Sequence, residues 1–268
     1  MATNRALRLQ NAAEVAADVV LNGHVERWVE GAIFPCEMAF FIATCIANDI
    51  ECVIESGRQD GYSTEILGDW ASRGGQKIVS IDLELEPKRA ALCRERLAKW
   101  PIELVKGSAY EEFGRHASAQ AGRKLALLAD GPKGWPAISM LAAATSESVH
   151  VVALHNLIVG CQERRYLQEL GGGSHIFYET AILAPGPRWK ELRERELSIA
   201  TKARAARSLE ASSLGVLVFD EACRSKFRGA WRPEFGLHQP AVVRTLWASG
   251  MYAAATKLYG LSYRILAR

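Results

Sequence analysis

The sequence lacks the common signatures of a metal-bound or disulfide-stabilised protein. Its six cysteines form no CxxC pair, show no Cys/His ligand spacing, and mostly lie among apolar neighbours. Single thiols in such surroundings are typical of proteins from reducing compartments. We therefore expect neither a disulfide framework nor a zinc site.

Long hydrophobic runs and a strong excess of one charge are also missing. The most apolar stretch, CEMAFFIATCIA at 36–47, falls short of the roughly 18 residues that suggest a membrane span. The N-terminus has no signal-peptide pattern. The net charge of +3 is too small to mark a nucleic-acid or anionic-membrane surface. We expect a cytoplasmic protein that binds neither nucleic acid nor membranes.

What the sequence does contain is a regular alternation of apolar and helical segments. Helical spacing at about 11–31 and 36–48 precedes strand-like runs at 52–56, 77–81, 102–105, 124–129 and 149–154. Between these runs, helical spacing recurs at 62–73, 87–99, 109–120 and 135–145. Such alternation predicts βαβ units, and the continuous apolar character of the runs predicts strands buried on both faces.

The later part of the chain adds strand-like segments at 175–183 and 214–219, around a charged helical segment. We predict an α/β fold: a Rossmann-like, doubly wound, mainly parallel seven-stranded sheet with helices on both faces, N-terminal helices and a C-terminal helical extension. The predicted units are a helical lead-in or cap at 1–50, a core at 51–222 with a helical insertion around 187–210, and an extension at 223–268. The charged helix predicts a solvated face with pairs of opposite charge four residues apart.

A glycine turn follows the first predicted strand in CVIESGRQDGYSTEIL, residues 52–67. Gly57 and Gly61 permit a left-handed backbone and close approach of a ligand, and the following helix N-terminus offers free N–H donors. The turn is neither GxGxxG nor a P-loop, and it contains the acidic residue Asp60, which disfavours a pyrophosphate. A tight structural turn is the alternative interpretation.

Two acidic residues end neighbouring predicted strands and indicate what the ligand carries. Glu55 ends the first strand and suits a ligand with an amine or a sulfonium. Asp82 ends the second, where a carboxylate can accept hydrogen bonds from both hydroxyls of a ribose. By itself Asp82 could also be a helix N-cap. A ribose and a cation without a pyrophosphate describe S-adenosylmethionine (SAM).

Four successive motifs resemble those of class I SAM-dependent methyltransferases. They are VIESGRQDGYSTEIL, VSIDLELEP, VKGSAYEEF and LLADGPKGWPAI, within about residues 35–160. The resemblance implies a small-molecule O-methyltransferase that uses SAM and releases S-adenosylhomocysteine (SAH). The cofactor-binding residues that it implies are Glu55, Gly57, Gly61, Tyr62, Ser63, Asp82, Gly107, Ser108, Ala109 and Asp130.

Each of these residues has a role implied by the same resemblance. The first three hold the methionine part of the cofactor, and Tyr62 and Ser63 contact its carboxylate. Asp82 holds the ribose, residues 107–109 lie against the adenine, and Asp130 faces the methyl group and the substrate. The chain departs from the family at Arg58 and Gln59, where a small residue is usual, and at Ser108, where Asp or Asn is usual.

Catalysis would need a proton acceptor if the methyl acceptor is a hydroxyl. We nominate His155 first and Asp130 second as the general base, with Lys133 as an electrostatic helper. His155 could equally be a structural histidine, and Lys133 a turn residue. Metal-dependent members tend to have an acid pair where this chain has His155 and Asn156, so we predict no metal site.

Two other classes of function stay open from the sequence alone. One is a methyltransferase-fold protein that binds its ligand or acts as a scaffold without turnover. The other is a nicotinamide-dependent oxidoreductase, which the missing GxGxxG and Glu55 oppose. The methyl acceptor is predicted to be a small molecule with a hydroxyl, ahead of one with an amine, and the chain is compatible with a homodimer.

Overall fold

The computed structural model describes residues 2–170, 176–182, 184–203, 212–230 and residue 251. The strands in this part of the chain are β1 (Cys52–Ser56), β2 (Lys77–Asp82), β3 (Ile102–Lys106), β4 (Leu125–Ala129), β5 (Val149–Leu154), β6 (Ile176–Phe177) and β7 (Gly215–Val218). The helices are α1 (Ala2–Leu21), α2 (Pro35–Ala47), α3 (Tyr62–Gly74), α4 (Pro87–Leu97), α5 (Ala109–Ala119), α6 (Gly134–Ala144), α7 (Gln162–Leu170), α8 (Pro187–Lys202) and α9 (Glu221–Arg228).

The strands form one sheet in the order β3-β2-β1-β4-β5-β7-β6. The first five strands pair in parallel, and β7 runs antiparallel to both β5 and β6. The α/β, mainly parallel, Rossmann-like architecture is thus confirmed. The strand order reverses between β1 and β4, and in open α/β sheets ligands bind at such a point, outside the carboxyl ends of the strands.

Alternating residues of each strand send side chains into two hydrophobic cores, one on each face of the sheet. Val53 of β1 belongs to the core that α1, α2, α3 and α8 cover. Its neighbours Cys52 and Ile54 belong to the core on the opposite face, together with residues of α5, α6 and α9. Strands buried on both faces therefore explain why the apolar runs are continuous.

Helix α2 is strongly apolar and is enclosed on most sides. Pro35 occupies its first turn, where the missing N–H costs nothing. All residues from Pro35 to Cys45 are buried, between α1, α8 and the sheet. Residues 12–45 thus share one core with the sheet. The predicted boundary at residue 50 stays a prediction.

Two details after β5 differ from the sequence-based expectations. Of the segment predicted as a strand at 175–183, the structure describes residues 176–182, and within these Ile176–Phe177 is a strand and Glu179–Ala181 is a 3-10 turn. Helix α7 was not predicted, because its residues are mostly polar. Helix α8 has the predicted pair of opposite charges four residues apart, Glu191 and Arg195, and it also has a buried face, which consists of Trp189, Leu192, Glu196 and Ala200.

The C-terminal extension at 223–268 is described only as far as residue 230 and at residue 251. The rest of that prediction lies outside the described residues, as does the part of the 187–210 insertion after residue 203. Among the described helices, none is both long and apolar enough to cross a membrane.

Candidate functional site

A cavity of about 420 Å³ opens at the carboxyl ends of β1, β2, β3 and β4. Its walls are the loops that follow these strands, with contributions from residues 57–59, 81–86, 107–110 and 130–133. The cavity therefore lies at the reversal of strand order, where the fold is expected to bind a ligand.

Gly57 and Gly61 both adopt a left-handed backbone, with φ of 86° and 77°. A Cβ at Gly57 would lie 2.5 Å from the backbone nitrogen of Gly131, so glycine allows the loops after β1 and β4 to touch. Gly61 instead packs beneath α4, where a Cβ would lie 2.8 Å from the sulfur of Cys93. Gly57 lines the large cavity, whereas Gly61 lines neither this cavity nor the smaller one beside it.

The carboxyl group of Glu55 is fully buried under the glycine turn and does not line either cavity. It accepts hydrogen bonds from the hydroxyls of Ser63, Thr64 and Ser80. Burial raises the pKa of Glu55, although these hydroxyl donors lower it in part. This placement corrects the expectation that Glu55 faces a cationic ligand: the three hydroxyls turn its carboxyl group into the interior.

Asp82 lies at the end of β2 and lines the large cavity. Its Oδ2 accepts the backbone N–H of Gln59 at 3.0 Å, and its Oδ1 accepts that of Glu84 at 2.7 Å. Each carboxylate oxygen has further acceptor capacity. Asp82 is not the N-cap of α4, which is Glu86, so the alternative interpretation of Asp82 as a helix cap is wrong.

A buried arginine connects the glycine turn to the loop after β2. The guanidinium of Arg58 donates to the carbonyl of Ser80 at 2.6 Å and to the carboxylate of Glu84 at 2.5 Å. Arg94 of α4 pairs with the same Glu84 oxygen at 2.7 Å. The Arg58 side chain is only 2% exposed, although it contributes to the cavity wall.

Residues 107–109 form the opposite wall of the cavity. The N–H of Gly107 donates to the carbonyl of Asp82 at 3.0 Å, which fixes the loop after β3 to the end of β2. Ser108 is buried and is the N-cap of α5, which begins at Ala109. The predicted adenine-side residues thus lie together and next to Asp82.

Asp130, Lys133 and His155 come together at the ends of β4 and β5. The Nδ1 atom of His155 lies 2.5 Å from Oδ1 of Asp130, and the ammonium of Lys133 contacts the same oxygen. Burial alone would raise the pKa of Asp130, but the His155 hydrogen bond and the Lys133 charge hold it below its ordinary value. The side chain of His155 is 5% exposed and that of Lys133 is 42% exposed.

These three residues differ in their access to the cavity. Asp130 and Lys133 line it, whereas His155 does not and lies behind them, in contact with Asp130 and 3.5 Å from the Lys133 ammonium. The arrangement therefore presents one carboxylate to a ligand, with an imidazole and an ammonium group both held against its Oδ1 atom.

A second cavity of about 50 Å³ adjoins the first and shares Gly57, Arg58 and Asp130 with it. Its other wall comes from the segment before α2, through residues 29–33. Tyr62 and Ser63 at the start of α3 also line it. The Tyr62 ring is buried in the core, and burial raises the pKa of its hydroxyl well above the ordinary value.

Charged side chains at the junction of the two cavities balance one another. Arg89 lines both cavities and pairs with Asp60 of the glycine turn. The hydrogen bond from Arg89 lowers the pKa of Asp60. The Asp60 charge, which was expected to repel a pyrophosphate, is thus already bound by an arginine.

Sequence reasoning missed several residues of the site. Arg58, Gln59 and Glu84 were considered only as departures from a family pattern or not at all. Their positions between two motif residues were visible in the sequence. Their contacts were not, because they depend on left-handed backbone at Gln59 and Glu84, with φ of 45° and 53°.

The comparisons with known proteins gave similarities of structure only. No protein-family model and no curated protein matches the chain. Similar solved structures include an SAH-bound methyltransferase of Podospora anserina, 13% identical, with a TM-score of 0.43, covering 79% of this chain and 96% of that one. An O-methyltransferase of Bacillus cereus in complex with SAH is 16% identical, with a TM-score of 0.42 and coverage of 76% and 91%.

A third similar structure is TomG of Streptomyces achromogenes, an O-methyltransferase involved in tomaymycin synthesis, in complex with SAM. It is 15% identical, with a TM-score of 0.43 and coverage of 78% of this chain and 90% of that one. At these identities and TM-scores, the similarities do not assign an activity to this chain, and its function has to be inferred from its own residues.

Proposed function

We propose that this protein is a SAM-dependent methyltransferase that methylates a hydroxyl group, in preference to an amine, on a small-molecule acceptor. The observation that carries the proposal is the cavity in which Asp82, residues 107–109 and Asp130 meet at the carboxyl ends of β1 to β4. One cavity thereby contains an acid that would bind the ribose, a backbone wall that would lie along the adenine, and a carboxylate that would face the reacting groups.

The residues present fit the parts of SAM one by one. Asp82 would accept hydrogen bonds from the ribose hydroxyls, since each of its oxygens has acceptor capacity beyond the N–H that it binds. Gly107, Ser108 and Ala109 would lie along the adenine. The small cavity next to Gly57 would take the methionine end of the cofactor.

The methionine end carries an ammonium and a carboxylate, and the small cavity has groups for both. The first N–H groups of α3, at Tyr62 and Ser63, have no partner within the helix and favour an anion. Glu30, Asp60 and Asp130 are the carboxylates in the lining, and Asp60 is paired with Arg89. We assign the ammonium to Glu30 instead of the buried Glu55, because Asp130 is needed for proton removal.

Bound SAM would supply a methyl group on a positively charged sulfur. The acceptor oxygen would attack the methyl carbon in line with the C–S bond, which breaks and leaves SAH. The protein must then align the acceptor oxygen and remove its proton. We assign proton removal to Asp130, the member of the Asp130–His155 pair that lines the cavity. A hydroxyl oxygen becomes strongly acidic as it gains the methyl group, so a carboxylate of low pKa suffices as its base.

His155 and Lys133 would act on that carboxylate. Both contact Oδ1, which leaves Oδ2 to receive the acceptor's proton. The sequence nominates His155 as the base, but His155 does not line the cavity and Asp130 does, so we propose a positioning role for His155. Because Oδ1 of Asp130 is already bound by two nitrogen groups, we propose that no metal takes part.

The partners follow from the same cavity. Its size suits a nucleoside and leaves the acceptor to enter beside Lys133, so we propose a small-molecule acceptor with no role for nucleic acid or membranes. A cytoplasmic location agrees with six unpaired cysteine thiols. A homodimer remains part of the proposal.

Calorimetric titration with SAH, with NAD as the parallel control, tests the cofactor. We expect micromolar binding of SAH and none of NAD. Binding of NAD alone would replace the proposal by an oxidoreductase. If SAH binds, transfer of a labelled methyl group from SAM to a panel of hydroxylated compounds, compared with Asp130→Asn, tests turnover. Binding without transfer to any compound would favour a ligand-binding protein.

A further inference from the structure

We propose that Arg58 is a positioning residue that holds Asp82 ready for the ribose of the cofactor. The inference rests on the proposed function, because it concerns the same cavity. It assigns a role to a residue that sequence reasoning treated only as a departure from the expected small residue at this position.

The geometry joins the two sides of the ribose site through one side chain. Arg58 belongs to the glycine turn after β1, and its guanidinium binds the carbonyl of Ser80 within β2 and the carboxylate of Glu84 just beyond β2. Asp82 lies between these two contact points along the chain. A rigid, planar guanidinium with several donors is suited to such a connection.

Backbone N–H groups on both sides of this contact donate hydrogen bonds to the Asp82 carboxylate. Gln59 follows Arg58 and donates its N–H to Oδ2 of Asp82, while Glu84 donates its N–H to Oδ1. Both amides that hold Asp82 therefore belong to residues connected to Arg58: Gln59 follows it in the chain, and Glu84 pairs with it.

Both of these amides come from residues in a sparsely populated conformation. Gln59 and Glu84 have φ of 45° and 53°, in the left-handed region that residues other than glycine rarely adopt. Such a backbone persists only when its surroundings hold it in place. The bridge from Arg58 to Glu84 supplies that restraint on both loops at once, so the carboxylate is oriented before the ligand arrives.

Arg94 provides a matched control for this role. It pairs with the same Glu84 oxygen, but it reaches Glu84 from α4, is 40% exposed, and has no contact with the glycine turn among the ion pairs of the described residues. Replacing Arg58 leaves the Glu84 charge paired with Arg94, and replacing Arg94 leaves it paired with Arg58. Each variant therefore leaves Glu84 with one arginine partner, and only Arg58→Met releases the glycine turn. Because Arg58 is 2% exposed and Arg94 is 40% exposed, Arg58→Met should lower the free energy of unfolding more, and SAH affinity is compared only between folded variants.

The first experiment titrates SAH into the wild type, Arg58→Met, Arg94→Met, Asp82→Ala and the double variant Arg58→Met/Asp82→Ala. We expect Arg58→Met to weaken binding on the order of tenfold and Arg94→Met to change it little. If Arg58 acts through Asp82, the double variant binds no more weakly than Asp82→Ala alone. Additive losses, or equal losses in the two arginine variants, would overturn the inference.

Thermal unfolding without ligand identifies a purely structural effect. If Arg58→Met does not fold, Arg58→Lys keeps the buried charge but replaces the two fixed guanidinium nitrogens on Ser80 and Glu84 by one ammonium on a flexible stem, and it should show the same loss of SAH affinity. Full affinity in Arg58→Lys would contradict a role that depends on the bidentate contact.

Amide hydrogen exchange in the ligand-free wild type tests the orientation of Asp82 directly. The N–H groups of Gln59 and Glu84 should be protected before SAH is added. Exchange at an unprotected rate until SAH binds would show that the site is formed by the ligand, and would overturn the inference. A wild type that binds no SAH overturns the proposed function, whereas SAH binding unaffected by Arg58→Met overturns only the role of Arg58.

Discussion

Gly57 and Gly131 bring the loops after β1 and β4 into backbone contact. A Cβ placed on Gly57 would lie 2.5 Å from the Gly131 nitrogen and 2.8 Å from the carbonyl carbon of Asp130. The contact also orders Asp130, whose own N–H donates to the carbonyl of Ser56 at 2.9 Å. One glycine therefore sets the spacing between the cofactor loop and the proposed catalytic carboxylate.

Replacing this glycine should damage both stability and binding. In Gly57→Ala the left-handed backbone and the clash together should lower the free energy of unfolding by about 2–5 kcal/mol and should weaken SAH binding. Gly75→Ala is the matched control, because Gly75 has φ of 75° and no atom within 4 Å of its Cβ position.

Urea denaturation of both variants measures the difference. Gly75→Ala should lower the free energy of unfolding by only about 1–2 kcal/mol, with SAH affinity unchanged. Equal costs in the two variants would mean that the loops can separate without loss, and that their contact does not define the site.

Asp82→Ala should remove the ribose hydrogen bonds and weaken SAH binding by about 1.5–3 kcal/mol. Calorimetric titration of the variant measures this loss. Glu86→Ala is the control, because Glu86 lines the same cavity with a side chain that is 74% exposed, and we expect little change in affinity. Wild-type affinity in Asp82→Ala would place the ribose elsewhere.

His155→Ala should reduce turnover on the order of tenfold to a hundredfold while SAH binding is retained. The variant loses the hydrogen bond that orients Oδ1 of Asp130, so the pKa of Asp130 should rise and the acid limb of the pH profile should move to higher pH. His116→Ala, which removes a buried histidine outside the site, is the control.

The outcome also separates the catalytic from the structural interpretation of His155. If His155→Ala lowers the unfolding temperature as much as it lowers activity, with the pH profile unmoved, the histidine is structural. A moved pH profile in a stable variant supports its action through Asp130.

Glu196 of α8 gives a prediction about stability and pH. It is 1% exposed, and burial, reinforced by the charge of Glu179, raises its pKa from 4.5 to about 8. A group with a raised folded pKa contributes stability that is present below its unfolded pKa and is lost as the pH rises through the folded value. The wild type should therefore lose stability between about pH 4.5 and 8.

Glu196→Gln should remove this loss, because glutamine stays neutral and can still accept the hydrogen bond that the Cys36 N–H donates at 2.6 Å. The variant should match the wild type near pH 5 and exceed it at pH 8.5, as measured by urea denaturation at both values. Glu194→Gln, at an exposed position of the same helix, should show no such difference. A wild-type advantage at pH 8.5 would mean that Glu196 is ionised and stabilising.

Much of the fold could be predicted from periodicity. The strand at 52–56 and the helices starting at 62, 87 and 109 have the predicted positions, because buried parallel strands and amphipathic helices leave strong local patterns. The segment at 175–183 was predicted to contain a strand, but the short extent of β6 and the polar helix α7 could not be predicted, since tertiary contacts outweigh weak local preferences in short elements.

The candidate site could likewise be predicted only in part. Sequence alone determined that an α/β chain would bring Gly57, Asp82, Gly107 and Asp130 to the carboxyl ends of adjacent strands, because parallel strands align their ends. Only the tertiary structure decided which side chains reach the cavity. Three hydroxyls turn Glu55 inward, Asp130 stands in front of His155, and Arg58 connects two loops, since these contacts join residues that are distant in sequence and depend on backbone angles that no local pattern encodes.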